Sequence, residues 1–440
     1  MSSLPFLVGL LLTVAVLSVA ILERVTRVTV EANEPPLLQP RIPVLGHMLS
    51  FLRRPSEYFI ELRNKHNVEL ATLQLGHAKV YVVWSPAVVQ SAFRNKDLSH
   101  DKYSLDFAQQ VFGLKKDTIA SLRSPEAVGE RIQQRLVEAI HEGLKCQSLK
   151  NMTARALEYL TGQVNTMTPG TQPFELSNLY LWLRDHITLS VSTTLYGARD
   201  PFRDDPLLIQ ALWDFEGDFT RLLPGNLVGQ LLSPKAFDGR KRVQSAMMEF
   251  YQSNSELNDD VTPFIRERAR LLRQAGIPAE EIGRLEMSFM FVATTGSGPT
   301  VFWLVANVLQ DQKLVREIRK ELEPLVVLDG DVAVLRVSAI NENSCPLLVS
   351  CWHEAIRISN HFLGTRHPLE DLLVSNKGGQ TYLLKKDTPV IWSARALHAS
   401  TDAWGDDATM FRGDRFVDLK GNDKQKKKVA FRSRPCLGQD

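Results

Sequence analysis

The sequence predicts a mainly α-helical body with small β-sheets, set behind one N-terminal transmembrane helix. Three observations predict it: an uncharged apolar run opens the chain, a helical period governs its middle, and short alternating stretches lie on either side. At 440 residues, 44% hydrophobic and 23% charged, the chain can bury a substantial core. The formal net charge is +2, so no long-range field attracts nucleic acid and no nucleic-acid partner is expected. Cys146, Cys345, Cys351 and Cys436 form no C-x-x-C pair and no zinc spacing, which suits a reducing compartment.

Leu4–Leu22, "LPFLVGLLLTVAVLSVAIL", carries no charge. As a helix it would span roughly 28 Å, close to the thickness of a bilayer core. A cleaved signal peptide is the rival reading, with Ser18–Ala20 as its cleavage site; the absence of a basic residue before the run favours an anchor. Arg24, Arg27 and Arg41 follow the run, and positive charge on that flank places the body in the cytosol. The expected organisation is a transmembrane anchor over 1–23, a connector over 24–47 and one domain over 48–440. Four prolines in "EANEPPLLQPRIPVLGH" (31–47) make the connector stiff and extended.

Residues 68–84, "VELATLQLGHAKVYVVW", read as a hairpin about Gly76-His77. From Pro86 to Leu325 the period is helical. Ser124 and Pro125 suit a helix cap and first turn, and "LYLWLRDHITLSVSTTLYG" and "VREIRKELEPL" space their apolar residues by three and four. Residues 377–393, "KGGQTYLLKKDTPVIWS", read as strand, turn, strand.

E-x-x-R occurs three times, at Glu267/Arg270, Glu281/Arg284 and Glu354/Arg357. On a helix each can form an i,i+3 pair, and most such pairs are solvated. The third copy is followed by "FRGDRF" (411–416) and "RPCLG" (434–438), so Arg415 can join Glu354 and Arg357 in a buried network that satisfies the carboxylate from two sides.

The order of these pieces resembles the cytochrome P450 family, the haem-thiolate monooxygenases. The resemblance runs from the anchor and proline-rich connector through "NVLQDQKLVREIRKELE", Glu354/Arg357 and "AWGDDATMFRGDRF" to Arg434/Cys436/Gly438. "GPTVFW" (298–303) is similar to the branch that contains prostacyclin synthase, the sterol 7α- and 12α-hydroxylases and fungal secondary-metabolite relatives. The resemblance implies a cytochrome P450 fold and a haem whose iron takes Cys436 as axial thiolate, a ligand that favours O–O cleavage. It makes Arg366 and Arg434 cofactor-binding. It places Gly296 where most members carry an acid, and Ser297, the catalytic candidate, where they carry an alcohol. Gly296–Pro299 also read as a simple helix kink, and both can hold. Thr294 and Thr295 would cap that kink. Phe291, Ala293 and Phe362 are candidate pocket residues, roofed by 205–250.

The implied function is oxidation of a lipophilic small molecule, steroid- or terpenoid-like or another secondary metabolite, at the endoplasmic reticulum membrane. Electrons would come from NADPH-cytochrome P450 reductase, for which the basic stretch 423–434 is a docking candidate. Two alternatives stay open: a haem-dependent peroxide isomerase that needs no reductase, and a haem-poor, inactive remnant. The ending motivates the last of these. Arg432 and Val429 stand where the family has glycine and phenylalanine, and only "LGQD" follows Cys436. The expectation is a cysteine loop that is shortened, on a C-terminally truncated domain that holds haem weakly.

Overall fold

In chain order the strands are β1 (Leu70–Leu75), β2 (Ala78–Val83), β3 (Leu98–Ser99), β4 (Val326–Asp329), β5 (Val332–Leu335), β6 (Leu363–Pro368), β7 (Leu372–Ser375), β8 (Thr381–Leu384) and β9 (Val390–Ser393). The computed structural model describes residues 13, 17–18, 21–22, 24–40, 45–99, 101–123, 132–167, 175–223, 225–330, 332–375 and 378–417. Two compact units divide the chain. One holds 1–103 and 360–411, the other 104–359 and 412–440.

The first unit carries a five-stranded sheet in the order β1-β2-β9-β6-β3 and the separate β7-β8 pair. The β1–β2 hairpin turns at Gly76-His77, where Gly76 takes a φ of +63°, which its missing Cβ permits. Residues 377–393 do form two strands, but not with each other. β8 pairs with β7, while β9 runs parallel to β2 and antiparallel to β6. Alternation reveals strands; it does not reveal their partners.

The proline-rich segment is extended and bound to the edge of β1. Leu38 donates its N–H to the Thr72 carbonyl (3.0 Å), and Thr72 donates back to Pro36 (2.8 Å). Glu34, almost fully buried, accepts from Lys79 Nζ at 2.6 Å and from the Tyr81 hydroxyl. Of the expected anchor, only Thr13, Leu17, Ser18, Ile21 and Leu22 are among the described residues. These are helical, with Leu17, Ile21 and Leu22 exposed. Arg41, Ser124 and Pro125 lie outside the described residues.

The second unit is helical apart from the antiparallel β4–β5 pair. Its named helices are α1 (Lys116–Arg123), α2 (Ile132–Gly143), α3 (Cys146–Asn165), α4 (Leu179–Tyr196), α5 (Leu207–Asp218), α6 (Pro234–Gln252), α7 (Pro263–Gln274), α8 (Ala279–Thr295), α9 (Ser297–Gln310), α10 (Gln312–Leu322) and α11 (Pro346–Ser359). Asn178 caps α4 by accepting the Leu181 N–H at 3.0 Å, as an Asx side chain does at a helix start. The core lies among α4–α8. Tyr196, Leu212, Phe215, Met247, Tyr251 and Met287 are wholly or almost wholly enclosed there. Each large apolar side chain so buried contributes about 1.5–3 kcal/mol.

α6 approaches α5 so closely that a Cβ on Gly239 would stand 2.3 Å from the Ala211 carbonyl oxygen. Backbone cannot swing aside as a side chain can. Gly239→Ala is therefore expected to destabilise by about 1–3 kcal/mol, read as a lower urea midpoint with an unchanged slope. The same change at Gly162, whose Cβ would meet nothing within 4 Å, is the control.

Ala279–Gln310, α8 and α9 taken together, is the one helix among the described residues long and apolar enough to cross a membrane. Its first half is a core element of the bundle, because Glu281 and Glu286 are fully buried there and paired with other helices.

Candidate active site

α8 and α9 form one long helix interrupted at Gly296. The cause is local. Pro299 has no N–H to give the Thr295 carbonyl, and its ring crowds that carbonyl. Hydroxyls on either side turn back onto the backbone. Thr294 donates to Met290 O (2.8 Å), Thr295 to Phe291 O (2.8 Å), Ser297 to Thr294 O (3.0 Å) and Thr300 to Gly296 O (2.8 Å). Such back-bonding bends helices. Ser297 thus sits on the first turn after the break, half-buried, its proton engaged by the helix itself.

The break is framed by aromatic rings. Phe291 lies 5.9 Å from Phe112, 5.3 Å from Phe215 and 5.2 Å from Phe219, centroid to centroid, all edge-on. Phe215 and Phe219 come from the 205–250 stretch expected to roof a pocket. Ala293 is half-buried. Phe362 is in the other unit and 60% exposed, so it is not a core side chain there.

Glu354 and Arg357 lie one turn apart on α11. Arg357 Nε donates to Glu354 Oε2 and Nη2 to Oε1, both at 2.7 Å. Arg415 Nε reaches Oε1 at 2.9 Å and the Arg412 N–H reaches the same oxygen at 3.0 Å. All three side chains are buried. The segment is held a second time, because Phe416 N–H donates to Ser350 Oγ at 3.0 Å. Next to this network, burial and then the carboxylates of Glu321, Glu354 and Asp414 push the Cys351 thiol up to about 12, so it stays protonated.

The other two E-x-x-R pairs differ from each other. Glu267/Arg270 is half-exposed and bidentate. Glu281 is fully buried, correcting the expectation of a solvated pair. It accepts the Lys115 N–H at 3.0 Å and the Thr118 hydroxyl at 2.9 Å, with Arg284 Nε 3.2 Å away. The sequence reading missed a further buried pair, Arg268 on α7 with Glu286 on α8, joined at 2.5–3.3 Å.

Arg366 lies on β6 in the first unit, half-buried, its guanidinium 5.7 Å over the Trp392 ring and donating to the Thr365 carbonyl. Arg434, Cys436 and the basic stretch 423–434 lie outside the described residues. Among the described residues no three His, Cys, Asp or Glu side chains gather as a metal site. A cavity of about 330 Å³ beside Glu256 and Arg273 contains none of the candidate residues.

Comparison with known proteins places this arrangement. A cytochrome P450 monooxygenase of Gibberella zeae is 31% identical over 391 residues, covering 89% of this chain and 73% of its own. The human 7-alpha-hydroxycholest-4-en-3-one 12-alpha-hydroxylase is 22% identical over 405 residues, covering 89% and 77%. Among solved structures, the retinoic-acid-bound cyanobacterial CYP120A1 superposes with a TM-score of 0.62 at 16% identity, over 88% of this chain and 82% of that one, which shows the shared fold. The family model described as "Cytochrome P450" matches residues 35–439, so the broken helix, the Glu354 network and the cysteine stretch all fall within it. The chain belongs to the cytochrome P450 family, the oxidoreductases whose haem iron is held by a cysteine thiolate.

Proposed function

We propose that this chain is a membrane-anchored monooxygenase that oxidises a lipophilic small molecule, steroid- or terpenoid-like or another secondary metabolite. The observation that carries the reading is the family match, which extends through Cys436 to residue 439. The described residues also suit haem. A Cβ on Gly296 would meet nothing within 4 Å, and Val292, one turn earlier on the same helix face, is 72% exposed. The break therefore offers an open, small and apolar surface of the kind a flat macrocycle covers.

On this reading Cys436 holds the iron, and Arg434 and Arg366 pair with the haem carboxylates. Bound haem supplies reductive activation of dioxygen. The protein's own tasks are positional. Ser297 holds a proton at Oγ beside the break, the phenylalanines around Phe291 exclude water, and the Glu354 network fixes the helix behind them. The electrons would come from NADPH-cytochrome P450 reductase, with the anchor in the endoplasmic reticulum and the body in the cytosol. Gly296, which gives no carboxyl at the position before Ser297, favours a second reading, the peroxide isomerase. Turnover that requires NADPH and reductase excludes it.

The test is a reduced carbon-monoxide difference spectrum of the 440-residue chain. A thiolate-type Soret band is expected, at less than full haem occupancy because Arg432 stands where the family has glycine, and Cys436→Ser should abolish it while the far-UV spectrum is unchanged. A wild-type chain that gives no such band sinks the proposal and leaves the inactive remnant. Topology has a separate reporter. Asn151 begins the sequon "NMT" and is exposed on α3, so burial does not protect it. It is expected to carry no glycan on the mature chain; a glycan there would reverse the orientation.

A further inference from the structure

Of the four hydroxyls that bond back onto the backbone around the helix break, one also reaches another helix. Thr300 Oγ1 lies 2.8 Å from Gly296 O and 2.9 Å from Ser359 Oγ, the last residue of α11. Thr300 is itself buried and Ser359 half-buried. α11 is the helix whose other turns carry Glu354 and Arg357, locked by Arg415 and by the Arg412 N–H. On the opposite side of the break a Cβ on Gly298 would stand 3.4 Å from the Trp213 ring, and Trp213 is held in turn by donating its indole N–H to Thr188 Oγ1 at 3.2 Å. The break is thus held by packing on both sides, against Trp213 on one and against α11 on the other, and toward α11 the Thr300–Ser359 hydrogen bond adds a directional link.

We infer that Thr300 is a positioning residue: through Ser359 it ties the Gly296 break to the rigid Glu354–Arg357 helix and so sets where the Ser297 hydroxyl stands. The physical argument is one of freedom. Pro299 removes one backbone bond from this turn, so the angle between α8 and α9 is less determined there than elsewhere along the helix. A hydroxyl that donates to Gly296 O while accepting the Ser359 hydroxyl proton from α11 fixes that angle from outside the helix. Ser297, one turn before Thr300 on the same short segment, follows it. The assignment to oxygen chemistry rests on the monooxygenase reading; the mechanical link does not.

The test uses the full chain with Thr300→Val, Ser359→Ala, the double variant, and Thr300→Ser as the conservative rescue. Valine keeps the shape of threonine and removes the hydroxyl; Ser359→Ala, at a helix end, is the milder change should Thr300→Val fold poorly. The first readout is amide hydrogen exchange over residues 294–300, which needs no haem. Ser359→Ala should exchange about five- to tenfold faster there, as loss of one hydrogen bond allows, and Thr300→Val at least as fast, since it also loses the bond to Gly296 O. The double variant should be no faster than Thr300→Val, because the bond that Ser359→Ala removes is already absent there, and Thr300→Ser should restore the wild-type rate. The second readout is the stretching frequency of carbon monoxide bound to the haem-loaded chain. It should shift in Thr300→Val and Ser359→Ala and return in Thr300→Ser. Unchanged exchange, or additive effects in the double variant, overturns the link. Faster exchange with an unshifted carbon-monoxide band overturns the positioning role. Failure of the wild-type chain to bind haem would count against the function proposed above and, with it, against any role for Thr300 in oxygen chemistry, while the exchange result still decides the link.

Discussion

Arg357→Ala is expected to cost about 3–5 kcal/mol of folding stability, the range for stranding a buried charge by removal of its partner. Glu354 has no exposure, and its Oε2 is bonded by Arg357 Nε, while Oε1 is shared among Arg357, Arg415 and the Arg412 N–H. Without Arg357 the carboxylate stays in a dry site with half of these donors gone. The matched control is Arg270→Ala. That pair has the same i,i+3 spacing and the same bidentate geometry, but both side chains are 40–48% exposed. Water replaces the lost partner, and the expected cost is about 0–1 kcal/mol. Denaturant unfolding of the two variants decides the matter; equal losses would remove Glu354–Arg357–Arg415 from the role of structural anchor.

The contrast also marks what spacing can and cannot say. Three E-x-x-R motifs share one pattern, and the fold gives them three different environments. The third could be singled out because "FRGDRF" brought an arginine flanked by aromatics. The burial of Glu281 had no such flag. Its donors, the Lys115 N–H and the Thr118 hydroxyl, come from a segment far away in sequence, and nothing local announces them. The helix break was legible, since glycine at 296 and proline at 299 act on the backbone within their own turn. So was the β1–β2 hairpin, whose register follows from its two-residue turn. Partnership between distant strands was not, and β8 accordingly found β7 rather than β9. Local chemistry reads locally, whereas tertiary pairing needs the fold.

The Arg268–Glu286 pair did leave a signal, one that lies in the period rather than in a motif. Arg268 occupies the core face of α7, in line with Phe264, Ile265, Leu271 and Leu272. Glu286 occupies that of α8, in line with Ile282 and Met290. Two opposite charges at positions where each helix should be apolar point to each other. The pair is expected to be strongly protective in one direction only. Glu286→Ala should cost about 3–5 kcal/mol, because Arg268 cannot shed its proton and is almost wholly enclosed. Its remaining contacts, the Leu136 carbonyl at 3.5 Å and the Phe289 ring at 5.0 Å, cannot replace a carboxylate. Nor can the neighbouring phenols. Burial first, and the Glu286 carboxylate next, push Tyr196 and Tyr251 well above the ordinary range, so both stay neutral. Replacing both members, as Arg268→Met with Glu286→Leu, should by contrast be neutral or stabilising by about 1–4 kcal/mol, since the desolvation of two ions is removed along with their attraction. Urea midpoints of the single and double variants, at matched slopes, test this directly. A double variant as unstable as the single would mean that the pair contributes through shape and hydrogen bonding that methionine and leucine cannot supply, and the electrostatic account of this core would fall.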